Sequence, residues 1–233
     1  MMTQLLRVAR IQFINAGLTL ILPVVILALA LLATILIFFV IGDSVTEEGG
    51  VGGGLVSVYV TMLIVHLQTM TQMFPFAVGL SVTRRVFFGA TTLIIVGQSV
   101  LYGALFTLCK YIERATDGWG VNLIFFELPF LQHDNVFAQF LAYTVPMLAM
   151  TFFGLWIGIV FKRWGQYGVW AFVISLGALA VGAVVVVTWQ EWWSRIGVFL
   201  TDHPPLALQA GYPLVIALVF AGAAYLTTRR AVP

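Results

Sequence analysis

Long, uninterrupted apolar runs alternate with short polar segments along the whole chain of 233 residues. Six such runs lie at roughly 18–42, 55–80, 87–112, 136–161, 168–190 and 210–228. About 20 helical residues cross a bilayer core of about 30 Å, and backbone groups in lipid must be hydrogen-bonded internally. Because the apolar runs are continuous rather than alternating, they predict helices and not the strands of a barrel. We therefore expect one all-α integral membrane domain over 1–233 with six transmembrane helices, called spans one to six below.

The composition agrees with a membrane protein, and the residue types present argue against a disulfide, a metal site and an enzyme acting alone. Hydrophobic residues make up 61% and charged residues 9% of the chain, whereas soluble domains average about 45–50% and about 25%. The single Cys109 cannot form an intrachain disulfide, and the three histidines have no metal-ligand spacing, so no metal site is expected. No catalytic or nucleotide-binding signature is present, and we do not expect an enzyme acting alone.

Charged residues are sorted by sign along the chain. All nine acids follow the ends of the odd-numbered spans, and eight of the eleven basic residues form four pairs at the other ends, namely Arg7/Arg10, Arg84/Arg85, Lys162/Arg163 and Arg229/Arg230. Because basic residues near short loops favour the cytoplasmic side, both termini are expected inside the bacterial cell membrane. Isolated pairs do not form a nucleic-acid surface, but they suit anionic membrane lipids or an acidic protein partner.

The segments between the spans differ in character. Residues 3–16 have an amphipathic pattern and predict a short helix at the cytoplasmic interface, or alternatively only a charged flank that sets topology. The glycine-rich outer link at 47–54 is expected to be flexible and without a chemical role. The outer segments 113–135 and 189–209 mix aromatic and acidic residues, and we expect both to form short helices on the outer surface.

Span two carries most of the polar side chains found inside the predicted membrane core. They include His66, Gln68, Thr69 and Gln72. This stripe either lines a substrate pathway or forms interhelical hydrogen bonds, each contributing about 0.6–2 kcal/mol. Gln98 of span three is a weaker candidate of the same kind. No carboxylate lies near the centre of any span, which disfavours an ion-coupled carrier.

Helix-breaking and small residues predict local features of the spans. Pro75 removes a backbone donor and should distort span two near Thr71, and Pro146 could do the same in span four near Ala142. Gly154 and Gly158 have the spacing that lets another helix approach closely.

The short cytoplasmic link between spans two and three has the most specific pattern. A proline-containing helix ends at Gly79, Ser81 or Thr83 can cap the next helix, and a basic pair and two aromatic residues follow. This stretch resembles the same region of bacterial ABC-2 type transporter permeases, the membrane subunits of type V ABC exporters. The matching residues are Gly79, Thr83, Arg84, Arg85, Phe87 and Phe88. The order of an interfacial helix, six spans and amphipathic outer segments is also similar to that family, although the outer segment before span four is longer.

The resemblance implies a fold, partners and a function. In the family this corner is a coupling helix that docks on a separate ATP-binding subunit, which binds ATP and Mg. Two permease chains, identical or different, assemble with two such subunits, and substrates range from drugs and peptide antibiotics to lipids and polysaccharides. For this chain the resemblance implies export of a hydrophobic or amphipathic substrate. The alternative is a non-transporting membrane scaffold or immunity-type protein.

Overall fold

The structure, a computed structural model, describes residues 17–41 and 50–230. Its long apolar helices are those of an all-α membrane protein. The predicted interfacial helix at 3–16 lies outside the described residues. In chain order, the helical segments that belong to the spans are Gly17–Ile21 (π-helical), Leu22–Ile41, Leu55–Gln68, Thr69–Met73 (π-helical), Phe74–Gly79, Arg84–Ala115, Val136–Trp189, Ala207–Gly211 (π-helical) and Tyr212–Arg230.

Spans four and five appear as one helical run of 54 residues, Val136–Trp189. Within that run Gly165 has φ 67° and ψ −162°, a conformation open mainly to glycine. The ring centroids of Phe153 and Phe172 are 6.3 Å apart, whereas nineteen residues of straight helix would separate them by about 28 Å. The run therefore folds back at Gly165 into two antiparallel limbs, 136–164 and 166–189, which match the predicted spans four and five.

Two apolar clusters form the core, one near each end of the bundle. At the end that carries Arg84/Arg85, spans two, three, four and six pack together through a cluster that includes Phe74, Phe87, Ile95, Leu155 and Ala224. At the opposite end, spans one to four pack on the segment between spans three and four, through a cluster that includes Leu27, Met62, Phe106, Phe126 and Tyr143. The limb 166–189 is exposed along nearly all of its length, with Leu179 71% accessible.

Close helix contacts depend on glycine, as the sequence predicts for Gly154 and Gly158. A Cβ at Gly154 would collide with the carbonyl oxygen of Leu63, and one at Gly158 would lie 2.7 Å from that of Leu67. The structure thus confirms the close approach and identifies span two as the partner of span four. A Cβ at Gly103 of span three would likewise collide with Thr144 of span four.

Three π-helical segments each end two residues before a proline. They are Gly17–Ile21 before Pro23, Thr69–Met73 before Pro75 and Ala207–Gly211 before Pro213. Proline has no N–H to donate to the carbonyl four residues earlier. A π-helical turn changes the backbone hydrogen bonds from a spacing of four residues to one of five. The predicted distortion of span two near Thr71 is confirmed as such a turn. Pro146 has no comparable effect, because the helix keeps helical dihedral angles around it.

The segment between spans three and four differs from the predicted surface helix. It contains the short strand β2 (Leu123–Ile124) and a 3₁₀ turn at Pro129–Leu131, and Leu123, Phe125 and Phe126 are fully buried. The prediction was wrong for this segment because its apolar side chains complete the core cluster at the end opposite Arg84/Arg85, which we call the outer core cluster, instead of facing lipid. The predicted surface helix in 189–209 is present as Trp193–Asp202, with exposed side chains along most of its length.

The glycine-rich link is also more ordered than predicted where the structure describes it. Strand β1 (Gly50–Val51) pairs in parallel with β2, and the Gly52 N–H donates to the Ile124 carbonyl at 2.8 Å. A Cβ at Gly52 would lie 3.1 Å from the Phe125 ring, and one at Gly54 would lie 2.5 Å from it. These glycines let the link pass closely over Phe125, so part of it has a packing role.

We predict that Gly154→Ala destabilises the fold by about 1–3 kcal/mol, because the new methyl group meets a backbone oxygen that cannot move alone. Gly177→Ala is the matched control, since a Cβ there meets nothing within 4 Å. The control should leave stability unchanged or raise it by up to about 1 kcal/mol. Thermal unfolding in detergent measures both variants, and equal melting temperatures would contradict the helix contact.

Candidate functional site

The corner between spans two and three begins with a well-defined helix end. The Val82 N–H donates to the Ala77 carbonyl at 3.1 Å and the Ser81 N–H to the Val78 carbonyl at 2.9 Å. These two bonds form a Schellman motif, which requires a left-handed residue after the helix. Ser81 occupies that position with φ 61°. The helix end is therefore rigid, although a side chain stands where glycine is favoured.

The N-cap of the next helix follows two residues after Ser81. Thr83 has extended dihedral angles, and its hydroxyl accepts a hydrogen bond from the Val86 N–H at 3.4 Å. Of the two predicted capping residues, Thr83 is thus the N-cap of span three, and Ser81 ends span two. The corner consists of two helix ends joined without a loose loop.

The six residues that match the family pattern have two different environments. Phe87 is fully buried and meets Phe74 edge-on, with ring centroids 5.3 Å apart. Phe88 is half-buried against Tyr225 of span six, also at 5.3 Å. In contrast, Gly79, Thr83 and Arg85 are exposed, and Arg84 is half-buried. The aromatic pair anchors the corner in the core, while the exposed residues face outward from the bundle.

The polar stripe of span two is divided in the same way. His66 is only 2% exposed, and its Nδ1 lies 2.9 Å from the Met62 carbonyl oxygen. Thr69 is buried, and its hydroxyl donates to the Val65 carbonyl at 3.0 Å. Gln68 is half-buried and Gln72 is exposed on the outer surface of the helix. His66 and Thr69 therefore face the interior of the chain's own bundle, whereas Gln72 lies on the outer surface of that bundle.

Gln98 connects span three to the start of span one. Its Nε2 donates to the Thr19 carbonyl at 3.1 Å, and Tyr102 one turn later donates to the Leu20 carbonyl at 2.9 Å. Thr19 is the carbonyl that loses its usual helical partner to Pro23. The Gln98 contact is thus an interhelical hydrogen bond, the second of the two roles that the sequence allows for polar groups in the spans.

A site that the sequence analysis missed lies at the opposite end of the bundle, around Glu113. The Glu113 carboxylate is 2% exposed and accepts hydrogen bonds from three consecutive backbone N–H groups, of Phe125 at 3.1 Å, Phe126 at 3.0 Å and Glu127 at 2.9 Å. The Trp119 indole N–H donates to it at 2.8 Å. A buried carboxylate is stable only with such a set of donors. We call residues 113–133, folded around this carboxylate, the outer cap, after the side of the membrane that the charge pattern predicts for them.

Further polar contacts fasten the outer cap to spans three, four and six. Buried Lys110 donates to Gln139 at 2.7 Å and lies 3.9 Å from the Glu127 carboxylate. The His133 Nε2 is 2.6 Å from the Gln209 Oε1, and the Gln209 amide also donates to the Phe130 carbonyl. The Tyr143 hydroxyl donates to the Phe126 carbonyl at 2.7 Å. These contacts join the outer cap to three spans at this end of the bundle.

Helical spacing could have identified part of this site. Tyr102, Phe106, Lys110 and Glu113 recur at three- and four-residue intervals and so share one face of span three. The two aromatic residues mark that face as buried, which places both charged residues inside. The backbone donors of the cap could not be found in this way, because every residue except proline has an N–H group and the side chains do not indicate which of these groups bind Glu113.

Comparison with protein-family models, with curated proteins and with solved structures gives no match for this chain. The resemblance to ABC-2 permeases therefore rests on the corner residues and on the order of the spans. The coupling role of the corner and the substrate role of the span-two stripe stay predictions.

Ser81→Gly is expected to stabilise the protein by about 1 kcal/mol, because glycine removes the steric cost of the left-handed conformation. Ser175→Gly, in the helical limb 166–189, is the matched control and should destabilise by up to about 1 kcal/mol. Melting temperatures should shift in opposite directions. A decrease for both variants would contradict the helix-end geometry at Ser81.

Glu113→Gln should destabilise the outer cap by about 2–3 kcal/mol, because a neutral amide offers one acceptor oxygen to four buried or half-buried donors. Hydrogen exchange of the Phe125, Phe126 and Glu127 amides should accelerate, while exchange near Arg84 stays unchanged. Asp117→Asn, which alters an exposed acid beside the same segment, is the control. Unchanged protection of the three amides in Glu113→Gln would contradict the anchoring role.

Proposed function

We propose that this chain is the membrane-spanning permease subunit of an ATP-driven exporter in a bacterial cell membrane, with both termini in the cytoplasm. Its cargo is a hydrophobic or amphipathic compound such as a drug, a peptide antibiotic or a lipid. ATP and Mg are bound by a separate ATP-binding subunit, two copies of which join two permease chains. The chain itself is not an enzyme.

The observation that carries the proposal is the construction of the corner between spans two and three. Two helix ends meet with only four residues between them, and Phe87 packs on Phe74 across the corner. A force on exposed Arg85 therefore reaches both spans instead of being absorbed by a loop. The basic pair Arg84/Arg85 of this corner suits an acidic surface on a partner.

The position of the exposed glutamine supports a cargo path between two permease chains. The outer cap joins spans of the chain's own bundle at one end, and His66 and Thr69 are buried inside that bundle. Gln72, by contrast, is exposed in the apolar surface of span two, where an amide in contact with lipid would lack hydrogen-bond partners. A second permease chain or a hydrated path beside Gln68 and Gln72 would supply those partners. The apolar surroundings favour a hydrophobic or amphipathic cargo over an ion.

The non-transporting scaffold is the second candidate, and the joining of three spans by the outer cap is the observation that favours it. A bundle whose spans are joined at one end by the hydrogen bonds of the outer cap can serve as a stable binding platform without any transport. The two functions differ in what they require from the basic corner. Only the exporter needs Arg84 and Arg85 to transmit the state of an ATP-binding subunit.

The joint substitution of Arg84 and Arg85 by alanine should lower permease-dependent stimulation of the ATP-binding subunit by about tenfold or more, the loss typical of charged interface residues that dominate binding. Arg85 is exposed but Arg84 is half-buried, so the melting temperature of the variant must show that the fold is retained. Arg195→Ala is the matched control at the opposite end of the bundle. ATPase assays of the complex reconstituted in vesicles, together with melting temperatures, measure these effects.

Two outcomes would overturn the exporter. One is purification from the native host in mild detergent without any ATP-binding subunit, combined with no nucleotide-dependent transport after reconstitution. The other is an unchanged phenotype of the Arg84/Arg85 variant in its host, which supports the scaffold.

A further inference from the structure

The corner between spans four and five differs chemically from the corner between spans two and three, although both lie at the same end of the bundle. Gly165 turns the chain, and the residues on either side project away from the core. Trp164 is 52% exposed and Tyr167 88% exposed, and Arg163 and Gln166 are exposed beside them. In the first corner, by contrast, the aromatic residues are Phe87 and Phe88, which are buried or half-buried. The second corner thus presents aromatic rings to its surroundings and the first does not.

The cations of the second corner are held in a defined arrangement. The Arg163 guanidinium carbon lies 4.5 Å from the centroid of the Trp164 ring, which is a cation–π contact. Lys162 precedes it and is half-buried. Stacking orients the planar guanidinium while leaving its N–H donors available for an anion.

Among the described residues, no acidic side chain lies at this end of the bundle to pair with these cations. The sequence has no acidic residue between 135 and 190 or after 202. The six acids in the described residues, Glu113, Asp117, Glu127, Asp134, Glu191 and Asp202, all lie at or beyond the opposite helix ends. Exposed Trp and Tyr favour the headgroup level of a bilayer, and basic residues there attract anionic lipids.

We propose that the corner 162–167 binds the phosphate group of an anionic phospholipid, with Arg163 and Lys162 as the phosphate ligands and Trp164 and Tyr167 beside the upper part of the lipid chains. A lipid suits the two exposed rings, because Trp and Tyr prefer the headgroup level of a bilayer. This assignment does not depend on the exporter, since it requires only the full chain in a membrane.

The test is quenching of tryptophan fluorescence by brominated phospholipids, with the full chain in phosphatidylcholine bilayers. The contribution of Trp164 is obtained by subtracting the signal of the Trp164→Phe variant. Brominated phosphatidylglycerol should quench Trp164 more strongly than brominated phosphatidylcholine at the same mole fraction. Because each basic residue near an anionic surface contributes about a fivefold preference, the joint Lys162→Gln and Arg163→Gln substitution should abolish most of the difference. Arg195→Gln, near Trp193 at the opposite end, should not.

A second measurement uses the unaltered chain and does not depend on how the variants fold. Phosphatidylglycerol should slow the modification of Arg163 by phenylglyoxal, measured by mass spectrometry, several-fold relative to phosphatidylcholine alone. Equal quenching by the two lipids together with equal modification rates would overturn the proposal. So would protection of Arg163 by an added ATP-binding subunit but not by anionic lipid, since that result assigns the corner to a protein partner.

Discussion

The buried carboxylate of Glu113 is the interaction on which the outer half of the molecule depends. Removing an ionised carboxylate from water costs several kcal/mol unless hydrogen bonds replace the lost hydration. Here the amides of residues 125–127 and the Trp119 indole provide them, and the carboxylate in turn satisfies three amides that would otherwise be buried without acceptors. This mutual requirement directs Phe125 and Phe126 into the bundle, where they complete the outer core cluster. The β1–β2 pairing and the close passage of Gly52 and Gly54 follow from that position of Phe125.

The two ends of the bundle are therefore built on different principles. The outer end is joined across several spans by polar contacts, of which Lys110–Gln139 and His133–Gln209 are the clearest. The end that carries Arg84/Arg85, called the inner end, is joined by apolar and aromatic packing, and its two short corners carry exposed Arg85 and Arg163. Apolar packing can adjust without leaving a buried polar group unpaired, whereas breaking the outer contacts would do so. In the proposed exporter, movement would begin at the inner end and leave the outer cap intact.

How much of this could be read from the sequence depends on the kind of interaction involved. The spans follow from apolar run length, and the close contact at Gly154 and Gly158 and the Thr83 cap follow from local rules with a known geometry. The outer cap does not, because Glu113 binds main-chain groups twelve to fourteen residues away, and backbone donors leave no mark in a sequence. Gly52 and Gly54 could not be predicted to pack closely either. A glycine-rich stretch looks the same in a sequence whether its glycines permit close packing or form a flexible link. For the span-two stripe, the residue types were visible but the division between buried His66 and exposed Gln72 required the fold.

The three proline-linked π-turns differ in what surrounds them, and the difference bears on how span two can move. At the first turn the Thr19 carbonyl accepts a hydrogen bond from Gln98, and at the third the Gln209 side chain is bonded to His133 and Phe130. At the turn in span two, the Thr71 hydroxyl donates only within its own helix, to Gln68, and Gln72 is exposed. The segment Phe74–Gly79 beyond this turn is tied to the corner by Phe74 and Phe87. A displacement of the corner would therefore carry that segment as one body, and a change of angle within span two would fall at the widened turn Thr69–Met73, whose Met70 packs in the core beside Gly158.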